Sequence, residues 1–228
     1  MFPLNQKNHP DMLVLLQRKS EEVLYDTKDG ILIFDKASGF TVADATTPEA
    51  AQAINALITQ RIEDVVVRGS YLFTQMKDCT SYETGQPYYF VVFTDIHASA
   101  KPHGVTFKQL DTSYISVICD HYSFRELANE SYIKQSLQEG MIGAFHHEEL
   151  VGFIGIHDTG SIGLLEVFPE YRHKGIAQAL LTHMIHYRQK QGFLPYGEVF
   201  EDNIVSMKLL RKMQCSIPKD KAYWFHKI

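Results

Sequence analysis

The stretch from Val167 to Ala177, VFPEYRHKGIA, constrains the local geometry more than any other part of the chain. Proline cannot continue a hydrogen-bonded ladder, so Pro169 ends the strand expected over Ser161–Phe168. Gly175 lacks a Cβ and admits both a left-handed backbone and close approach of another group. A helix from Gly175 to Gln191 follows, closed by Gly192. On it Ala177, Leu180, Leu181, Met184 and Ile185 recur at three- and four-residue steps and form one apolar face. Strand, turn and helix therefore follow one another directly, which calls for a mixed α/β fold. The first amides of such a helix have no partner within it, and its dipole is positive at that end. With Arg172, His173 and Lys174 around it, the turn is a cradle for a small phosphorylated anion. Ala177 keeps the first helical turn thin. Taken alone, RHKGIA fits an exposed turn of solvated charges equally well.

The rest of the chain falls into two blocks with a seam near residues 97–107, HASAKPHGVTF, where Pro102 and Gly104 favour a connection. The first block, residues 1–100, is an α/β half. It has a helix over Pro10–Tyr25 and strands at Ile31–Asp35 and Phe40–Ala45. A helix from Pro48 to about Gln60 follows, with Thr47 as N-cap and Ile54, Leu57 and Ile58 turned inward. Further strands are expected at Asp64–Arg68 and Tyr88–Thr94. The second block, residues 105–228, begins with a strand at Val105–Leu110 and a mostly helical stretch from Ser113 to Glu139. A hairpin of Met141–His146 and Leu150–His157 turns at HHEE. After the helix that follows Gly175 come a strand at Leu194–Phe200, a helix at Ile204–Met213 and a closing strand at Tyr223–Ile228. The sequence shows no internal repeat.

Bulk properties exclude several classes. The formal net charge is −5 and no basic run exists to neutralise a phosphate backbone, so nucleic acid is not an expected partner. No apolar run approaches the ~20 residues that a membrane span requires. The start, MFPLNQKNHPDML, lacks the basic and apolar regions of a signal peptide. Cys79, Cys119 and Cys215 form neither a disulfide framework nor a metal-ligand spacing, and a reducing cytoplasm is the default location. His183 and His186 lie on one helix, but no carboxylate or cysteine completes a metal set. Neither a G-x-x-x-x-G-K-[ST] loop nor a G-x-G-x-x-G turn is present, so the common nucleotide folds are set aside.

The element order from Val105 onward, with V-x-P-x-Y-R-x-x-G-x-A at Val167–Ala177 and N-x-x-S-x-x-L-L at Asn203–Leu210, resembles the GNAT superfamily of N-acetyltransferases. The segment LPYGEVFEDNIVSMKLLRKM and the late Trp224 are similar to its glycine N-acyltransferase-like branch, in which a GNAT-like half precedes the active one. Residues 1–100 contain no R-x-x-G-x-A of their own. The resemblance implies a mixed central sheet flanked by helices, and transfer of an acetyl or other acyl group from acetyl-CoA to an amine-bearing small molecule. It implies that the Leu165–Val167 backbone pairs with the pantetheine arm, and that amides of Arg172, His173, Lys174, Gly175, Ile176 and Ala177 hold the pyrophosphate. Asn203 and Ser206 would face the same ligand. As residues, Asn203 is also a good helix N-cap and Ser206 a plain surface hydroxyl. No metal is implied, and a homodimer is one assembly left open.

In such a reaction an amine with pKa ~10.4 must be presented deprotonated, at a cost of about 4–5 kcal/mol at pH 7. A general base meets part of that demand. Glu166, between Leu165 and Val167, is the first candidate, and Glu198 and His157 are weaker ones. The Val167 N–H is the expected oxyanion donor. Two departures bear on catalysis. Leu210 stands where many family members have a tyrosine that protonates the leaving thiolate, which leaves Tyr196 or water as donor. Gln214-Cys215 replaces the usual Gly-Phe. The competing expectation is a catalytically silent acyl-CoA-binding module.

Overall fold

A computed structural model describes residues 1–94 and 102–228. In chain order its elements are α1 (Pro10–Arg18), β1 (Glu21–Asp26), β2 (Gly30–Asp35), β3 (Thr41–Ala45), α2 (Pro48–Arg61), β4 (Asp64–Val67), α3 (Ser70–Lys77), β5 (Tyr82–Thr84) and β6 (Tyr88–Val92). There follow β7 (Val105–Gln109), α4 (Ile115–His121), α5 (Glu130–Glu139), β8 (Ile142–His146), β9 (Glu149–Ile156), β10 (Ile162–Val167), α6 (Ile176–Lys190), β11 (Tyr196–Phe200), α7 (Ile204–Lys212) and β12 (Tyr223–Lys227). Two compact units result, one of Met1–Val92, Glu198–Met207 and Ser216–Ile228, the other of Phe93–Gly197 and Lys208–Cys215. Part of the expected seam, residues 97–101, lies outside the described residues.

The first unit is built on a sheet of order β1-β2-β3-β4-β12-β5, in which only β3 and β4 run parallel. The Pro48 signal holds: Thr47 caps α2 by accepting from the Ala50 N–H, and Ile54 and Ile58 are fully buried. The helix expected over Pro10–Tyr25 instead stops at Arg18. Lys19 takes a left-handed conformation (φ 56°), and its N–H bonds back to the Leu15 and Leu16 carbonyls. A lysine there gives no glycine signal for the stop, and EEVLYD then forms edge strand β1 with Val23 and Leu24 still substantially exposed. Helix α3 and strand β5 carried no sequence signal, for both are short and α3 has no capping side chain.

The closing strand is the larger surprise. Tyr223–Ile228 was expected to end the second block, yet β12 pairs with β4 and β5, with Tyr223 opposite Val67 and Phe225 opposite Thr84. Phe225 is fully buried in a core with Ile54, Ile58, Val65, Leu72 and Met76. Periodicity reveals a strand and its inner face but not which sheet will receive it.

Polar groups also lie inside this unit. His9 Nε2 and Asp44 Oδ2 are 2.9 Å apart. Asp11 and Arg68, both almost fully buried, form an ion pair, and the guanidinium lies 4.2 Å from the centre of the Phe90 ring.

In the second unit the strands run β11-β10-β9-β8-β7. The β8–β9 hairpin turns through His147 and Glu148, both with positive φ (47° and 64°), as a tight two-residue turn requires. The expected helical stretch divides into α4 and α5, and Asn129 caps α5 by accepting from the Tyr132 N–H. Ile118, Ile133, Leu137, Phe153, Leu164 and Phe168 share one core. On α6, Leu180, Met184 and Ile185 are almost wholly buried, as their spacing implied. Among the described residues no helix is long and apolar enough to cross a membrane.

Removing one member of a buried ion pair strands the other charge in a poorly solvating interior. Asp11→Ala is therefore expected to lower unfolding stability by about 3–5 kcal/mol, read from the denaturant midpoint at unchanged m-value.

Candidate functional site

Strand β10 changes character halfway along. Ile162 and Gly163 pair with Ile156 and Gly155 of β9, and Glu166 and Val167 pair with Phe153 and Gly152. The register shift between them is a bulge at which Leu164 takes positive φ (51°). Bulges of this kind bend a strand and are frequent beside binding sites. On the other edge, the parallel register with β11 is the single pair Ile162↔Gly197. Among the described residues of this unit, the Leu165–Val167 backbone has no ladder partner on that edge. Gly152 is needed opposite, since a Cβ there would stand 2.7 Å from the Glu166 carbonyl oxygen.

The turn follows at once. A single 3₁₀ turn, Pro169–Tyr171, leads to Arg172, and His173 takes a left-handed conformation (φ 62°). Gly175 caps α6 with φ 80°, and a Cβ on it would meet nothing within 4 Å. Its space is open to the outside, so local crowding does not explain the glycine, whereas the backbone conformation and access do. The first helical bond runs from the Ala179 N–H to the Gly175 carbonyl, so the amides before Ala179 precede the ladder. Arg172, His173, Lys174 and Gly175 are exposed and Ile176 is buried, which aims the cradle outward and anchors it from below. Lys174 lies 5.0 Å from the Tyr171 ring centre.

Glu166 is nearly buried, and its carboxylate already receives three donors. Oε2 accepts from both the N–H (3.1 Å) and the hydroxyl of Ser123. Oε1 accepts from Arg172 Nη2 at 3.1 Å, while Arg172 Nε donates to the Val167 carbonyl at 2.9 Å. Arg172, expected at the pyrophosphate, thus also clamps the strand end to the turn. These donors take three of the roughly four lone-pair sites of the carboxylate, which leaves about one, on Oε1, for the proton of an amine. Burial, and secondarily the Glu166 charge, push the phenol of Tyr122 above its ordinary range, so it stays protonated. Ser123 is the residue that sequence reading missed. It is 43 positions from Glu166, in the loop between α4 and α5, and carries no local motif.

The remaining candidates occupy varied roles. Asn203 accepts from the Ser206 N–H at 3.0 Å and so caps α7; Ser206 is half-buried. Leu210, at the position of the usual tyrosine, is a buried core residue. Tyr196 is fully buried and donates to the Thr159 carbonyl at 3.0 Å. Gln214 takes the left-handed position (φ 58°) at the end of α7 that a glycine would suit, and the Cys215 N–H reaches the Leu210 carbonyl. Glu198 is exposed. His157 shares a hydrogen bond with Tyr132, and its Nε2 lies where a Cβ on residue 163 would be, 2.0 Å away, so only Gly163 admits the ring. Among the described residues no group of three or more His, Cys, Asp or Glu is placed to hold a metal ion.

The first unit repeats the order of three antiparallel strands, a helix and a parallel strand, without the site. Its β2–β3 register is regular, and β3 and β4 pair at Thr41↔Val65, Val42↔Val66 and Ala43↔Val67, continued by the Arg68 N–H to the Ala43 carbonyl. The N-terminus of α2 is closed by its own Thr47 cap.

Solved structures share this mixed α/β fold across the chain. A Drosophila protein superposes with a TM-score of 0.70 at 12% identity, covering 100% of this chain and 83% of that one. A protein from Novosphingobium aromaticivorans, named for the GNAT acetyltransferase family, gives 0.60 at 13% identity, covering 99% and 100%. A GCN5-related N-acetyltransferase-like protein from Streptococcus suis gives 0.57 at 14%, covering 95% and 92%. At these identities the likeness is one of fold, and that fold is the GNAT acyltransferase fold. Residues 106–214 match the model of the acetyltransferase (GNAT) family. No curated protein matches the sequence.

Burial pushes the His157 imidazole down from its ordinary 6.5 to about 4. Between those values the unfolded chain binds a proton that the native state refuses, so stability falls as pH drops from 6.5 toward 4 and is unaffected above 6.5. Over that interval wild type should lose about 2–3 kcal/mol more than His157→Gln, measured by denaturant titration at each pH.

Proposed function

We propose that the chain is an N-acyltransferase moving an acetyl, or a related acyl group, from acetyl-CoA to a primary amine on a small molecule. The observation that carries this is β10 itself: one edge loses its strand partner after Ile162, and the strand runs directly into an exposed turn capped by Gly175. The Leu165–Val167 backbone offers the pantetheine arm a strand-like edge. Amides of Arg172 to Ala177 supply unsatisfied donors for the diphosphate, with Arg172 and Lys174 as counter-charge. Asn203 is committed to its capping bond with the Ser206 N–H. The Val167 N–H stabilises charge on the thioester oxygen as the amine attacks and CoA leaves as thiolate. A free thiol has pKa ~8.5, so departure without full protonation costs little. The acidic balance of the chain favours a small or cationic amine.

We further read residues 1–100 as a degenerate GNAT-like half preceding the domain at 105–228. The parallel order of elements favours this, while its zipped β3–β4 pair and capped α2 leave it without a donor cradle. Three free cysteines suit a reducing cytoplasm.

Release of CoA thiol from acetyl-CoA across a broad panel of amines tests the reaction. Turnover is expected with at least one amine, and Gly175→Trp should lose it along with about tenfold or more of CoA affinity. Leu210 in the core and Tyr196 committed to Thr159 favour one alternative, a silent acyl-CoA-binding module. Tight CoA binding without turnover over the whole panel would select that reading.

A further inference from the structure

We infer that Arg172, Glu166 and Ser123 form a relay by which a ligand on the turn orders the loop between α4 and α5, with Glu166 and Ser123 as positioning residues. The inference rests on the acyl-CoA reading of the turn. Three elements distant in sequence meet at one carboxylate: the loop through Ser123, the strand through Glu166 and the turn through Arg172. The Glu166 side chain is only 10% exposed and that of Arg172 is 49% exposed, so the relay runs from a buried anion outward to a solvent-facing cation.

A guanidinium has five N–H donors in one plane. Here one on Nε is engaged by Val167 and one on Nη2 by Glu166. The others can meet a diphosphate on the adjoining amides without giving up either bond, so the ligand and Glu166 are held by one rigid group. Pinning the half-exposed guanidinium from outside removes its remaining freedom. That strengthens its bond to Glu166 and, through the same carboxylate, the two bonds to Ser123. The loop from Ser123 to Asn129 meets β10 at Glu166, within the stretch whose backbone would pair with pantetheine. Its order then depends on whether the donor is in place.

A carboxylate suits this position because each of its oxygens accepts a hydrogen bond. Gln has the size of Glu166, but its NH₂ can only donate, so it cannot accept from Ser123 on one side and Arg172 on the other. An isosteric exchange therefore breaks the relay at one link while preserving packing.

Hydrogen exchange of the Ser123 amide, with CoA as the probe, tests this. In wild type, saturating CoA should slow exchange of that amide by about tenfold. In Glu166→Gln the protein should still bind CoA, but the slowing should vanish. Ser123→Ala keeps the amide bond to Glu166 and loses only the hydroxyl bond, so its slowing should be smaller than wild type, and Ser123→Thr, which restores the hydroxyl, should recover the wild-type response. A CoA-dependent slowing of the same size in Glu166→Gln would overturn the relay. If CoA fails to bind wild type, the acyl-CoA reading fails instead. The link itself is then judged in the free protein: Arg172→Ala should speed Ser123 exchange, and an unchanged rate refutes the relay.

Discussion

Strand β10 has to satisfy two demands that a regular strand cannot meet together. Its first residues must pair on both edges to hold the sheet, and its last must leave one edge open and deliver the chain to a helix N-terminus. The bulge at Leu164 resolves this by bending the strand between two stretches of regular pairing with β9. Everything else at the site follows from that bend. Gly152 lets the bulged strand approach closely, Gly163 makes room for His157, and Glu166 comes to lie where loop and turn both reach it. The positive φ at Leu164 is strain of the kind that survives only when the surrounding core dictates it, and Leu164 is buried against Phe153 and Phe168.

The first unit shows what the same strand order becomes without the bend. Regular registers on both sides of β3 close its edge, and Thr47 satisfies one of the free amides at the start of α2. Its buried polar pairs, His9 with Asp44 and Asp11 with Arg68, tie the N-terminal segment to the sheet. The contrast places the difference between the two units in a few backbone details rather than in element order.

Those details explain what could be read in advance. Pro48, Thr47, Pro169, Gly175 and Gly192 act locally, so the elements they bound were legible within one or two residues. Lys19 and Gln214 do the work of glycine without its signal, and the end of α1 was missed for that reason. The destination of β12 depends on which sheet can bury Phe225, a tertiary matter that periodicity cannot encode. At the site, the turn was legible and the network behind it was not. Glu166 stood out as a carboxylate between apolar neighbours, but its partner Ser123 is an ordinary loop serine until the fold brings it close.

The central claim is that the backbone of the turn itself holds the diphosphate of an acyl-CoA. Titrating isotope-labelled protein with CoA and following backbone amide resonances addresses it residue by residue. Saturable shifts are expected that are largest from His173 to Ala177 and extend along Leu165 to Val167. Shifts centred elsewhere, or none at saturating CoA, would contradict it.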